Sequence, residues 1–192
     1  MRSVVERPFY FWDSVLPDEA CDMIIKEGLA LDNFKPAGVN SNNIADPELR
    51  QGSIGWFEKD HTVDKLLRSY VGTANTEAMW NYVITESEKV QFSIYGLQSR
   101  YGWHRDTDVT LPDGVPVRKL SVTVQLSHPD DYEGGDFQIK NFFGHELTDN
   151  AEQLRNRGTI VVFPSFLVHQ VVPVTKGTRY SLVQWYSGPD WR

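Results

Sequence analysis

From residue 90 onward the chain is a succession of short runs rich in β-branched and aromatic residues, broken by clusters of Gly, Pro, Asp and Asn, with no helical segment between them. Pleated strands favour the first kind of residue and tight turns the second. The runs are VQFSIY (90–95), RKLSVTVQLS (118–127), GDFQIK (135–140), GTIVVFP (158–164), VHQVVPV (168–174) and TRYSLVQWY (178–186). Strands that follow one another without crossover helices pair antiparallel. The spacing therefore predicts a sandwich, jelly roll or barrel and argues against a parallel α/β sheet.

The first half reads differently. Pro17 suits a first helical position, and Ala20, Ile24, Ile25 and Leu29 recur at helical spacing, which predicts a helix over 17–29 with Gly28 near its end. From Asp60, the spacing of Val63, Leu66, Leu67, Tyr70 and Val71 predicts a second helix stopped by Gly72, and 76–83 adds a further short one. Between the helices, QGSIGWFE (51–58) alternates like a strand, after a loop rich in Asn, Ala, Gly and Pro at 36–47. The expected organisation is one α+β domain over 1–192, with helical support in 1–85 laid on the outer face of a β core at 90–187.

Charge and cysteine content narrow the function classes. Twenty-six acidic against 19 basic residues give a net charge of −7, which disfavours a large footprint on nucleic acid or anionic lipid. The lone Cys21 allows no internal disulfide and no cysteine-based zinc site, which points to a reducing compartment. The opening MRSVVERPFYFWDS is broken by Glu6, Arg7, Pro8 and Asp13 before a signal-peptide core can form, and no apolar run reaches membrane-spanning length. A cytoplasmic location without membrane attachment is expected.

The chemistry concentrates in YGWHRDTD (101–108). On a strand, residues two apart point the same way, so His104 and Asp106 would project together while Arg105 faces oppositely. Such a pair can chelate one ion, and a two-histidine, one-carboxylate facial site, typical of non-haem Fe(II) oxygenases, needs one more imidazole. His169, in the apolar run SFLVHQVVPV, is the leading candidate, against the alternative of a hydrogen-bonded core histidine. Asp108 is a less readily placed substitute for Asp106. Ten residues beyond His169, Arg179, Ser181, Val183 and Trp185 share one strand face. A guanidinium on a half-buried strand calls for an anion, and an organic dicarboxylate would supply one.

This order of residues resembles the Fe(II)- and 2-oxoglutarate-dependent dioxygenases, in particular their prolyl 4-hydroxylase-like branch, whose pattern of His-x-Asp, a distant His, then an Arg-x-Ser is matched by His104, Asp106, His169, Arg179 and Ser181. LSVTVQLSHPDDYEGGDFQI and the stretch from Arg157 to Tyr186 are similar to the family's C-terminal half. The resemblance implies a double-stranded β-helix (jelly-roll) core. It also implies Fe(II) as cofactor, with 2-oxoglutarate and O₂ as cosubstrates converted to succinate and CO₂; ascorbate or another reductant fits such chemistry.

Residue by residue, the resemblance makes His104, Asp106 and His169 the metal ligands, and Arg179, with Ser181 and Tyr95, the holders of 2-oxoglutarate. Gln125 stands where the family carries a second cosubstrate-binding tyrosine. Tyr101, Arg118 and Trp185 match positions that frame a substrate proline, which implies a proline-containing protein or peptide as partner. As plain residues, the three aromatics could equally be core or rim, and Arg118 a solvated strand end. His61, His128 and His145 read as surface or loop histidines, and 107–117 as a candidate lid. Two other readings stay open: oxidation of a free amino acid, other small molecule or nucleic-acid alkyl group, and a non-enzymatic jelly-roll binding module.

Overall fold

A computed structural model describes residues 7–38, 46, 48–107, 114–141, 143–148 and 152–190. In chain order the elements are β1 (Tyr10–Trp12), α1 (Asp18–Leu29), β2 (Lys35–Pro36), β3 (Arg50–Gln51), β4 (Ser53–Trp56), α2 (Thr62–Glu77), β5 (Glu86–Ser87), β6 (Gln91–Tyr95), β7 (Arg100–His104) and β8 (Val117–Gln125). There follow β9 (Tyr132–Gly134), β10 (Phe137–Lys140), β11 (Ile160–Pro164), β12 (Val168–Val171), β13 (Val174–Gly177) and β14 (Arg179–Gly188), with short 3₁₀ turns at Pro129–Asp131 and Glu152–Arg155. A large sheet runs β1-β11-β8-β14-β6-β4-β2, with β5 also on β14; a smaller one runs β10-β12-β7-β3; β13 and β9 form a separate pair. Every pairing is antiparallel. This is the expected α+β arrangement around a jelly-roll core.

Strand alternation gives the large sheet two different buried faces. Leu120, Val122 and Val124 of β8, Phe92 of β6, Ile160 and Val162 of β11 and Leu182 of β14 join Cys21 and Ile24 of α1 and Val63, Leu67, Val71 and Ala74 of α2 in the main core. The intervening residues Ser121, Thr123, Gln125, Gln91, Ser93, Arg179 and Ser181 point the other way and are buried too. A smaller apolar cluster of Ile139, Leu154, Val161, Phe163 and Leu167 fills one part of the space between the sheets. Tyr95, Val171 and Val174 form another apolar cluster, and hydroxyl, amide and guanidinium groups line the space beside it. Polar groups on a buried face need partners, so this layer is where a polar ligand fits.

Several local expectations are corrected. Gly72 does not stop α2, because it lies on the exposed face while the stripe of Val63, Leu67, Val71 and Ala74 continues past it. No separate helix forms over 76–83: α2 itself runs to Glu77, and Met79 and Asn81 then adopt left-handed φ of 59° and 51°. The first 85 residues are not only helical support: β1 to β4 add strands to both sheets. The 51–58 run divides at Gly52 between β3 and β4, which belong to different sheets, and 168–174 divides at Val172–Pro173 into β12 and β13. Most of the suggested lid lies outside the described residues. Among the described residues no helix is long and apolar enough to cross a membrane.

Gly28 is where α1 comes closest to the sheet: a Cβ there would stand 2.6 Å from the ring of fully buried Phe92. Gly28→Ala is expected to lower unfolding free energy by ~1–3 kcal/mol through overpacking, measured by urea denaturation, while Gly72→Ala, with open space around it, leaves stability unchanged or slightly raised.

Candidate metal and cosubstrate site

β7 and β12 are neighbours, and His104 stands directly opposite His169 in their register, with ring centroids 4.1 Å apart. Asp106 reaches them by a route that strand periodicity does not describe. β7 ends at His104, and the backbone N–H groups of Asp106 and Thr107 both donate to the carbonyl of Ser165, at 3.0 and 3.1 Å. That bend brings Asp106 Oδ1 to 3.5 Å from His104 Nε2 and Oδ2 to 3.4 Å from His169 Nε2. The carboxylate is 5% exposed.

Both imidazoles are held in the same tautomer. His104 Nδ1 lies 2.8 Å from the Gly102 carbonyl and His169 Nδ1 2.9 Å from that of Leu167. A carbonyl only accepts, so each Nδ1 carries the hydrogen and each Nε2 presents its lone pair toward Asp106. Ser121 Oγ donates to Asp106 Oδ2 at 2.7 Å and is backed by Ser165 Oγ at 2.9 Å. Burial opposes charge on Asp106, but His169 and His104 outweigh it and hold the carboxyl well below its usual range. Burial, reinforced by His169, lowers the pKa of His104. The two Nε2 atoms and the Asp106 carboxylate oxygens thus face one another as potential metal donors. The three ligand atoms lie within 4.8 Å of one another, and they are the one such cluster among the described residues. Two neutral imidazoles and one carboxylate, oriented by outer hydrogen bonds, form a donor set suited to Fe(II) with open positions.

Tyr101 shows how the strand serves the site. Residues three apart on a regular strand face opposite sides, yet Tyr101 stacks on His104, with centroids 3.4 Å apart and planes at 10°. The register explains this: Tyr101 and His104 pair with Val171 and His169, which are only two apart, so β7 bulges at Gly102–Trp103. Burial pushes the Tyr101 phenol up to about 12. Arg50, on β3, has its guanidinium 4.4 Å from the same ring.

On the large sheet, Arg179 is 3% exposed, with its Cζ 5.5 Å from the Tyr95 ring. Its Nη1 is buried without a hydrogen-bond partner. An orphaned, desolvated guanidinium is costly unless an anion completes it, so the pocket fits a carboxylate such as the distal group of 2-oxoglutarate. Ser181 faces Gln125 and Ser93 in the neighbouring strands. Gln125 does not offer its amide nitrogen to the pocket: Nε2 donates to the Ser127 carbonyl at 3.1 Å and to the Tyr132 hydroxyl at 2.9 Å.

Arg118 is not a solvated strand end. Its Nε and Nη2 donate to the two oxygens of Glu88 at 2.5 and 2.7 Å, and its Cζ lies 4.1 Å over the Trp185 ring. Nη1 reaches the Asp106 carbonyl at 3.5 Å, so the group borders the metal turn. The fork is engaged by Glu88, which leaves the stacked plane and not free donors for a substrate. His61 and His128 cap helical turns and His145 is exposed, as expected. Glu88, Arg50, Ser121, Ser165 and Tyr132 were not anticipated. For Ser121 the signal was present in β8, where Ser, Thr and Gln alternate with Leu and Val.

The fold and the donor set define a jelly-roll protein built to hold one metal ion and an organic anion. A family model described as the 2OG-Fe(II) oxygenase superfamily matches residues 90–187. The chain belongs to that superfamily, and the cluster of His104, Asp106 and His169 fits Fe(II), with 2-oxoglutarate as the cosubstrate that the superfamily's name implies. It is 38% identical over 98 residues to a PKHD-type hydroxylase of Delftia acidovorans, covering 50% of this chain and 41% of that one. Against a PKHD-type hydroxylase of Nitrosomonas europaea it is 35% identical over 130 residues, covering 64% and 54%. The matched stretch thus spans about half the length of these curated relatives. In fold it is similar to a Pseudomonas putida prolyl-4-hydroxylase, with a TM-score of 0.70 and 20% identity over 95% of this chain and 94% of the other. A Trichoplax adhaerens prolyl hydroxylase, solved with a hypoxia inducible factor peptide fragment, gives 0.69 and 19% over 94% and 83%.

Two measurements test the site. Arg179→Ala is expected to weaken 2-oxoglutarate binding by ~2–4 kcal/mol, roughly 30- to 1,000-fold, with Arg179→Lys a partial rescue; unchanged affinity in calorimetry would place the anion elsewhere. Ser121→Ala is expected to reduce metal affinity by about tenfold, with Ser121→Thr close to the parent, because the hydroxyl orients a ligating carboxylate; competition against a metal-sensitive dye reads this directly.

Proposed function

We propose that the protein hydroxylates a prolyl residue in a protein or peptide, with His104, Asp106 and His169 holding Fe(II) and Arg179 anchoring 2-oxoglutarate. The observation that carries this reading is the aromatic rim beside the metal ligands: Tyr101 stacked on His104 on one side, and Trp185 under the Arg118 plane on the other. Flat, rigid apolar surfaces suit a pyrrolidine ring at little entropic cost. The names of the prolyl hydroxylase neighbours in fold support the same substrate class, and those of the PKHD-type relatives a hydroxylase in general.

Fe(II) and 2-oxoglutarate, when bound, supply the O₂ chemistry that yields succinate and CO₂ and oxidises an unactivated C–H bond. The chain supplies geometry. The Ser121 and Ser165 hydroxyls keep Asp106 turned toward the imidazoles, and the backbone carbonyls of Gly102 and Leu167 fix the ring planes. Tyr101, with its phenol kept neutral by burial, gives the substrate a dry wall. The Glu88–Arg118 pair sets the Trp185 face, and the buried Trp185 Nε1, which has no partner, is a donor for a peptide carbonyl.

Succinate formation measured with and without proline-containing peptides, together with a +16 mass change on proline, tests the reading. Trp185→Ala is expected to raise the KM for peptide well above its effect on uncoupled 2-oxoglutarate turnover, because Trp185 contacts neither metal nor anion ligands. Stimulation by a free metabolite and by no proline peptide would transfer the assignment to small-molecule oxidation.

A further inference from the structure

One buried tyrosine that no strand pattern marks borders the Arg179 side chain. Tyr132 opens β9 and is 3% exposed. Its phenol oxygen lies 2.9 Å from Gln125 Nε2, and Gln125 stands opposite Ser181, two residues along β14 from Arg179. The ring also borders the Arg179 stem: a Cβ on Gly135 would lie 3.0 Å from Arg179 Cδ and 3.3 Å from Tyr132 Cδ2. Gly135, at φ +66°, leaves that space open. Arg155, 4.7 Å from the ring centroid, donates to the backbone carbonyl of Tyr132 and pairs with Asp136, which fixes the phenol from behind.

The hydrogen-bond directions are determined. The Ser127 carbonyl can only accept, so it fixes which end of the Gln125 side chain is the NH₂ group. The same nitrogen then donates to the phenol, which must accept. The phenol's own hydrogen is left to donate, and it donates to no described residue. Arg179, whose Nη1 has no partner, borders the same glycine as the Tyr132 ring. Two unused donors, one cationic and one neutral, are thus carried by buried side chains that meet at Gly135. A carboxylate has two oxygens to occupy them.

We propose that Tyr132 is a cosubstrate-binding residue whose hydroxyl donates to the distal carboxylate of 2-oxoglutarate beside Arg179, with Gln125 as the positioning residue that turns the hydroxyl toward it. The tyrosine absent from position 125 is thereby replaced from a different strand.

The test is calorimetric titration of the Mn(II)-loaded protein without turnover, using 2-oxoglutarate and 2-oxobutyrate, which lacks the distal carboxylate. Tyr132→Phe is expected to weaken 2-oxoglutarate about ten- to a hundredfold, the cost of one hydrogen bond to a charged group, while 2-oxobutyrate and Mn(II) affinities stay at the parent values. Gln125→Leu is expected to give a smaller loss that is again confined to 2-oxoglutarate. Unchanged 2-oxoglutarate affinity in Tyr132→Phe, or equal weakening of both ligands, overturns the proposal. Should Tyr132→Phe fail to fold, Gln125→Leu decides: no selective loss against 2-oxoglutarate overturns it.

Discussion

The carbonyl of Ser165 accepts two backbone N–H groups, those of Asp106 and Thr107, and the metal centre depends on the turn this makes. Without it the chain leaving β7 would carry Asp106 away from the sheet, and two facing imidazoles would remain without their carboxylate. The acceptor sits just after β11, two residues before Leu167, whose carbonyl orients His169. One short connection therefore sets both the carboxylate and one of the two rings. Its own side chain closes the arrangement through Ser121. Backbone groups cannot be varied by substitution, so the geometry is insulated from changes in most side chains around it.

The large sheet provides the second condition. Its outer face is apolar and is covered by α1 and α2, while its inner face is polar and equally buried. Burial of polar groups opposes folding unless each is paired. Gln91 donates to the Ser93 hydroxyl, Ser121 to the Asp106 carboxylate and Gln125 to the Ser127 carbonyl, while the Ser127 hydroxyl accepts from the Tyr180 N–H. Arg179 Nη1 and Trp185 Nε1 have no partner among the described residues. Arg50 Nε is a third such atom, and an anion beside Arg179 would relieve the cost at its Nη1.

Much of this was legible in the sequence, for physical reasons that can be named. Alternating apolar runs separated by turn residues report the strands directly, and the His-x-Asp, His and Arg-x-Ser order reports the site because those side chains act locally. What escaped was non-local. Gly72 lies in a helix because its solvent-facing position costs the stripe nothing, which depends on what α2 covers. Pro173 and Gly52 divide apparent single strands between sheets, which depends on the crossover geometry. Arg118 looked free because its partner, Glu88, is 30 residues away. The i, i+2 argument for His104 and Asp106 reached the right pair by the wrong means, since a bend and not a pleat brings them together.

The bulge in β7 has a consequence for how such a chain can vary. Insertions between strands lengthen loops and leave the site intact, but the two ring-bearing strands are constrained in parity. Removing one residue at Gly102–Trp103 would restore regular pairing with β12 and improve the sheet as a sheet. Tyr101 and His104 would then stand two apart and still share a face, whereas regular pairing of the full-length strand would turn Tyr101 to the outer surface, away from His104.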